Sequence, residues 1–266
     1  LVPLLEEEDR HMADEIPDEF KHIESIRFDH VWFSYENNDI YALEDFTLNI
    51  KAGEFIGIVG PSGSGKSTLL ALLMGIYKPT RGAIYINDIN IAKYDSSVLR
   101  HLMGYVFQQA YLFKGSIRDN LTLFDTSISN EEMVDAAKQV NLDSMIEQLP
   151  EGYDTPVGYL GSLLSDGQKQ LLAFGRTLIK KTPILLLDEA TANIDSHTEK
   201  QIQASIESIR GSKTIVSIAH RLSTVEDANK IVYMEYGKII EKGSFNELIH
   251  LKGAFYNLWN NQHSGS

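Results

Sequence analysis

Nine consecutive residues, Gly60, Pro61, Ser62, Gly63, Ser64, Gly65, Lys66, Ser67 and Thr68, form a glycine-rich run ending in Lys-Ser-Thr. These residue types suit the holding of a chain of phosphates. Glycines let the backbone curl until successive N–H groups converge on phosphate oxygens. Lys66 has the reach for β- and γ-phosphates, and the Ser67 hydroxyl suits Mg²⁺. The neighbouring sequence supplies the context this spacing needs. Glu54-Phe-Ile-Gly-Ile-Val reads as a strand before the run, and Leu69-Leu-Ala-Leu-Leu-Met as a helix after it. The positive end of that helix adds to the attraction for an anion. The chain is expected to bind a nucleoside triphosphate.

Further residues extend this chemistry. Asp188 ends the apolar run Ile184-Leu-Leu-Leu, and carboxylates at such strand ends face the ligand crevice of an open α/β sheet. It could hold Mg²⁺ through water opposite Ser67. Glu189 follows it and is placed to polarise an attacking water as general base. His220 comes after the strand-like Thr214 to Ile218, at the same crevice edge, where it could bond a γ-phosphate or simply end a strand. Tyr35 could stack on a purine or merely pack. Gln108 could ligate Mg²⁺ and join the core to a helical part, although adjacent Gln109 leaves the choice open.

These groups need elements to hold them. Ile26 to Tyr35 and Ala42 to Ile50 alternate apolar and polar residues, as strands do, around the loop Glu36-Asn-Asn-Asp. Gly82 to Ile91 reads as a hairpin turning at Asn87-Asp88. Ser129 and Glu132 form a capping box for a helix to Gln139, and a second helical run covers Leu142 to Leu149. The loop from Pro150 to Gly161 is too rich in Gly and Pro for regular structure. A long helix then opens on the capping box Ser165/Gln168, with Leu171, Leu172, Leu178 and Ile179 on one face. After the buried strand Ile184 to Asp188, Ser196 and Glu199 are expected to cap a helix with Ile202, Ile206 and Ile209 inward and Gly211 at its end. Strand 214–218, a hairpin through Gly237 and a closing helix capped by Ser244/Glu247 complete an α/β pattern. A helical insert spans roughly 115–181.

Bulk properties set limits. The chain has 266 residues, enough for a sizeable core, and its 43% hydrophobic and 23% charged residues are ordinary for a globular protein. A net charge of −13 argues against nucleic acid as a partner. With no cysteine, disulfides and thiolate metal sites are excluded, and a cytosolic setting is compatible. No apolar stretch approaches the roughly 18–20 residues that span a bilayer, and no signal peptide is visible. Residues 1–22 are expected to be linker, tag (His11-Met12 reads as a cloning scar) or disordered. The folded domain is expected over 23–261, with a disordered tail at 262–266.

Taken in order, these motifs resemble the nucleotide-binding domain of an ATP-binding cassette (ABC) transporter, over about Ile23 to Asn261. The set comprises Tyr35, the Walker A loop, Gln108 of a Q-loop, Leu164-Ser-Asp-Gly-Gln168 as signature, Walker B with Glu189, Ala192-Asn-Ile-Asp195 as D-loop, and His220-Arg as H-loop. The Walker motifs occur in many ATPases, whereas the signature before Walker B is specific to this family. Tyr111-Leu-Phe-Lys-Gly-Ser-Ile-Arg-Asp-Asn-Leu and Gln168-Lys-Gln-Leu-Leu resemble the exporter branch.

The resemblance implies a RecA-like mixed-sheet core, an antiparallel β subdomain and a helical subdomain at about 115–181. It also implies ATP and Mg²⁺ as cofactors, with Glu189, His220 and Lys66 catalytic and Ser67, Gln108 and Asp188 at the metal. Two such domains would close head to tail, as a homo- or heterodimer. Ser165, Asp166, Gly167 and Gln168 would then contact the partner's ATP, with Asp195 at the interface. A transmembrane domain would be the further partner, placing a domain that is soluble by itself at the cytoplasmic face of a cell membrane. An importer subunit and a soluble ABC-type ATPase are the alternatives. Asp166 departs from the family pattern, where glycine is usual, as does Tyr159, where exporters often carry glutamate. A carboxylate about 5 Å from a partner's phosphate would be repelled by roughly 3 kcal/mol at an effective dielectric of 20.

Overall fold

The computed structural model describes residues 16–35, 40–191 and 194–264. The expected loop Glu36-Asn-Asn-Asp, D-loop residues Ala192 and Asn193, and the His11-Met12 scar lie outside the described residues.

Two sheets are present. The alternating segments near the amino terminus form β1 (Ser25–Phe33), β2 (Leu43–Lys51), β4 (Arg81–Ile86) and β5 (Ile89–Asn90). They pair antiparallel in the order β2-β1-β4-β5. The β4–β5 turn places Asn87 and Asp88 at φ 52° and 60°, as a two-residue hairpin requires. The second sheet contains β3 (Phe55–Val59), β6 (Met103–Val106), β7 (Ile184–Asp188), β8 (Thr214–Ile218), β9 (Lys230–Glu235) and β10 (Lys238–Gly243). Its order is β10-β9-β3-β8-β7-β6, parallel except for β10. The mixed core sheet and the separate antiparallel sheet match the expected architecture.

The central strands are apolar throughout because both faces of the sheet are covered. On one face Ile56, Ile58, Ile184, Leu186, Val216 and Ile218 pack against helix α1 (Lys66–Leu73) and the antiparallel sheet. On the other, Phe55, Leu185, Leu187 and Ile215 belong to a second cluster. That cluster includes Leu171, Leu172 and Phe174, and Ile202, Ile206 and Ile209, which the helices below supply. Each such large side chain contributes about 1.5–3 kcal/mol by leaving water.

The helical part comprises α3 (Ile117–Thr122), α4 (Asn130–Gln139), α5 (Asp143–Ile146) and α6 (Asp166–Ile179), following the short α2 (Ser96–His101). The capping boxes at Ser129/Glu132 and Ser165/Gln168 form as expected. The run from Leu142 shortens to α5, and the Gly/Pro loop contains two short 3-10 turns, Gly152–Asp154 and Tyr159–Gly161. Arg176 on α6 ties this part together, donating to the backbone carbonyls of Asn120 and Tyr111 and to Asn120 Oδ1. Burial pushes its guanidinium down to about 10, which leaves it charged at neutral pH.

Three expectations are corrected. Helix α7 (Ser196–Ile209) is capped by Asp195, which accepts from the N–H groups of His197 and Thr198, so Ser196 is already helical. Glu199 consequently takes no part in a capping box and is free to pair elsewhere. The folded unit also begins before residue 23. A turn at Asp18–Phe20 buries Phe20 against Tyr94, and Asn87 Nδ2 donates to the carbonyls of Glu19 and His22. At the other end α8 (Phe245–Leu251), capped by Ser244 as expected, is followed by α9 (Ala254–Ser264), which passes the expected boundary at 261.

Candidate active site

The phosphate loop runs from the end of β3 to the start of α1, with Gly65 as a left-handed cap at φ 97°. Two glycines are sterically required. A Cβ on Gly60 would lie 2.1 Å from the Met234 carbonyl oxygen, and one on Gly65 2.3 Å from that of Ala42. The β9–β10 turn holds the loop from outside: Gly237 N–H donates to Ser64 O at 3.1 Å, while Glu44 N–H donates to Gly237 O at 2.9 Å. The buried Ser64 Oγ has no hydrogen-bond partner among the described residues. Among the described residues no side chain caps the α1 amino terminus. The uncapped helix N–H groups fit an anionic ligand such as the phosphates of ATP.

Lys66 donates to the carbonyls of Gly60 and Pro61, both at 2.9 Å. Burial holds its ammonium below the ordinary lysine range, opposed by the negative charges of Glu189 and Asp188. Those carboxylates therefore lie within electrostatic reach of the loop. Ser67 and Ser62 are exposed, and Thr68 Oγ1 hydrogen-bonds the Tyr35 hydroxyl at 2.9 Å. Tyr35 lies just past β1, its ring edge-on to Phe33 and Tyr77 with 41% of the residue exposed. It is both packed and displayed beside the loop.

The strand ends bring the other groups together. Glu189 has φ 51° and donates its N–H to Ile218 O, which fixes the β7 exit against β8. Its carboxylate is held from two sides. Gln108 Nε2, just after β6, donates to Oε2 at 2.6 Å, and His220 Nε2, just after β8, lies 3.1 Å from Oε1. Asp188 accepts from the Tyr105 hydroxyl at 2.7 Å. Desolvation first, and then Asp188, hold that phenol well above the ordinary tyrosine range, so it serves as donor.

The donors Ser67, Asp188 and Gln108 are all hard oxygens of the kind Mg²⁺ takes. Among the described residues no group of three His, Cys, Asp or Glu side chains could hold a metal alone. Mg²⁺ is usually bound through one or two carboxylates together with substrate phosphates.

The signature residues keep different company. Ser165 Oγ accepts from Gln168 N–H at 3.2 Å, and Gln168 Oε1 from Ser165 N–H at 2.9 Å. Asp166, with 78% of its side chain exposed, pairs with Lys169 at 2.9 Å. A Cβ on Gly167 would lie 2.5 Å from Thr198 Oγ1 on α7. These hydrogen bonds and the ion pair stay within α6 and its cap, Gly167 packs against α7, and Asp166 and Lys169 line one groove together with Gln108.

The sequence reading missed three supports. Tyr105 holds Asp188, as above. Arg221 pairs with Glu199 and donates to the Ile194 carbonyl at 3.3 Å, while Ser223 donates to the same Glu199. From α9, Gln262 donates to the His220 carbonyl at 2.7 Å and accepts from Leu222 N–H at 3.2 Å. Only the adjacency of Arg221 and Ser223 to His220 was visible in the sequence; the partners are 22 or more positions away.

Residues 43–192 match the family model described as ABC transporter. The putative ABC transporter ATP-binding protein exp8 of Streptococcus pneumoniae serotype 4 is 43% identical over 238 residues, 90% of this chain and 40% of that protein. The beta-(1→2)glucan export ATP-binding/permease protein NdvA of Bartonella bacilliformis is 42% identical over 88% of this chain and 39% of its own length. A solved bacterial Atm1-family ABC exporter with ATP bound superposes with a TM-score of 0.85 at 38% identity, over 91% of this chain and 42% of that one. The chain thus spans about two fifths of the length of the relatives it matches. It belongs to the ABC transporter family.

Proposed function

We propose that this domain binds ATP with Mg²⁺ at the loop from Gly60 to Thr68 and hydrolyses it, as one half of a head-to-tail dimer that powers transport across a membrane. The observation that carries the proposal is the Glu189 carboxylate held between Gln108 and His220, in the electrostatic field of Lys66. Glu189 acts as general base on the attacking water, and His220 and Gln108 keep it oriented. Lys66 and the loop N–H groups bind the phosphates, and Tyr35 offers its ring to the base. Ser67, Asp188 and Gln108 hold Mg²⁺, which supplies charge neutralisation at the phosphates when bound.

The dimer reading is supported by the separation of roles. Among the described residues the side-chain hydrogen bonds of Ser165, Asp166 and Gln168 stay within α6 and its cap, and their helix presents its positive end at an exposed position. A second ATP-binding domain would receive it, with Asp195 nearby. The Asp166–Lys169 ion pair offsets part of the charge of the added carboxylate. The transmembrane partner is supported by the ATP-binding/permease relative, which is more than twice as long. A groove of about 280 Å³ beside Gln108 and Tyr111, with Phe107 and Phe113 exposed close by in sequence, suits the docking of a membrane domain. Among the described residues no helix is long and apolar enough to cross a membrane. Export is the direction supported by the glucan exporter and the Atm1-family exporter.

The test is ATP turnover of the full chain against Glu189→Gln, followed by size exclusion of that variant with ATP and Mg²⁺. Loss of turnover and a dimer holding two ATP are expected. Undiminished turnover in Glu189→Gln would overturn the reading. A variant that binds ATP yet stays monomeric would point to a different chain as partner.

A further inference from the structure

The role of Asp188 at Mg²⁺ is part of the proposed function, and the following rests on that reading. Register decides which side chains can reach Asp188. Strands β6 and β7 are parallel, with Tyr105 opposite Leu186. Side chains two apart along a strand share a face, so Asp188 stands on the face of Leu186. Leu186 packs in the cluster that contains Leu69 and Leu70 of α1, and Tyr105 lies against that same cluster. Tyr105 and Asp188 thus meet on the side of the sheet that carries the phosphate loop. The phenol donates to Asp188 Oδ2 at 2.7 Å. Its ring is fixed in turn by Phe107, with centroids 4.4 Å apart.

We infer that Tyr105 is a positioning residue for magnesium: its hydroxyl holds one oxygen of Asp188, fixes the carboxylate plane and leaves the other oxygen to serve the metal. A hydrogen bond to an ionised acceptor is short and directional. Without it, the Asp188 side chain would sample rotamers and trade its partner for water, and the metal would bear the cost of ordering it. Partners that orient a metal-binding carboxylate typically change metal affinity by 10–100-fold when removed. Nucleotide binding without metal would be untouched, because Tyr105 contacts neither the loop nor Lys66 in the described hydrogen bonds.

The experiment uses the full chain, its Tyr105→Phe variant and Asp188→Asn. N-methylanthraniloyl-ATP fluorescence is titrated in EDTA and again across a Mg²⁺ series, with melting temperature as the control for folding. Tyr105→Phe is expected to raise the half-saturating Mg²⁺ concentration about 10-fold, with unchanged affinity in EDTA. The inference is overturned if Asp188→Asn shifts the Mg²⁺ requirement and Tyr105→Phe does not. It is equally overturned if Tyr105→Phe weakens binding to the same extent with and without Mg²⁺, the signature of a packing role. If neither variant shifts the Mg²⁺ requirement, the assignment of Asp188 to the metal falls first, and the role of Tyr105 with it.

Discussion

His220 Nε2 lies 3.1 Å from Glu189 Oε1, joining the ends of two strands that are neighbours only in the folded sheet. The side chains are unequal in exposure, 56% for the imidazole and 14% for the carboxylate. The histidine therefore faces solvent while the glutamate is held behind it. Loss of a general base costs roughly 10²–10⁴-fold in rate. Glu189→Gln is expected to lose that much in single-turnover ATP hydrolysis, and His220→Ala a comparable factor. Residues that act as one unit are not additive, so the double variant should be no slower than the slower single one. Independent roles would instead multiply the two losses.

Gly167 has a packing reason to be glycine in addition to its place in the signature. Its missing Cβ leaves room for Thr198, whose Oγ1 donates to Asp195 Oδ2 at 2.7 Å. Gly167→Ala would push α6 from α7 and disturb the Asp195 cap. Overpacking of this kind typically costs about 1–3 kcal/mol. Chemical denaturation should show that loss, and Thr198→Ala in the same chain should recover part of it. Wild-type stability in Gly167→Ala would mean that the helices separate without strain.

The carboxy-terminal helix reaches the segment after β8 through Gln262. Gln262 uses both ends of its amide, on His220 O and on Leu222 N–H. Each such bond is worth about 0.5–1.5 kcal/mol net. Gln262→Ala should speed hydrogen exchange at the Leu222 amide and lower ATP turnover, with little change in melting temperature. Unaltered exchange at Leu222 would remove α9 from any part in placing His220.

Glu132 gives a pH signature in the helical part. Hydrogen bonding to Lys181 first, and then to the Ser129 backbone and side chain, lowers its carboxyl from the ordinary 4.5 to about 2. A depressed carboxyl stabilises the fold above its unfolded pKa and loses that contribution as pH falls through the folded one. The melting-temperature gap between the wild type and Glu132→Gln should therefore be full above about pH 4.5 and close as pH approaches about 2. A gap independent of pH would assign the effect to cap geometry rather than charge.

The sequence by itself determined whatever depends on near neighbours along the chain. The phosphate loop is contiguous, so its glycines, Lys66 and Ser67 declare themselves together. Capping boxes need only three-residue spacing, and those at Ser129, Ser165 and Ser244 form as read. The error at Ser196 has a local cause too. Asp195 and Ser196 are both good caps, and the choice fell to Asp195, whose carboxylate also accepts from Thr198 Oγ1. Only the tertiary structure decided which distant groups meet. The strand order β3-β8-β7-β6 brings Gln108, Asp188, Glu189 and His220 to one edge. Parallel register sets Tyr105 beside Asp188 across 83 positions, and α9 folds back 42 positions to grip the H-loop. Strand pairing is a long-range choice made by burial on both faces of the sheet, and no local spacing encodes it.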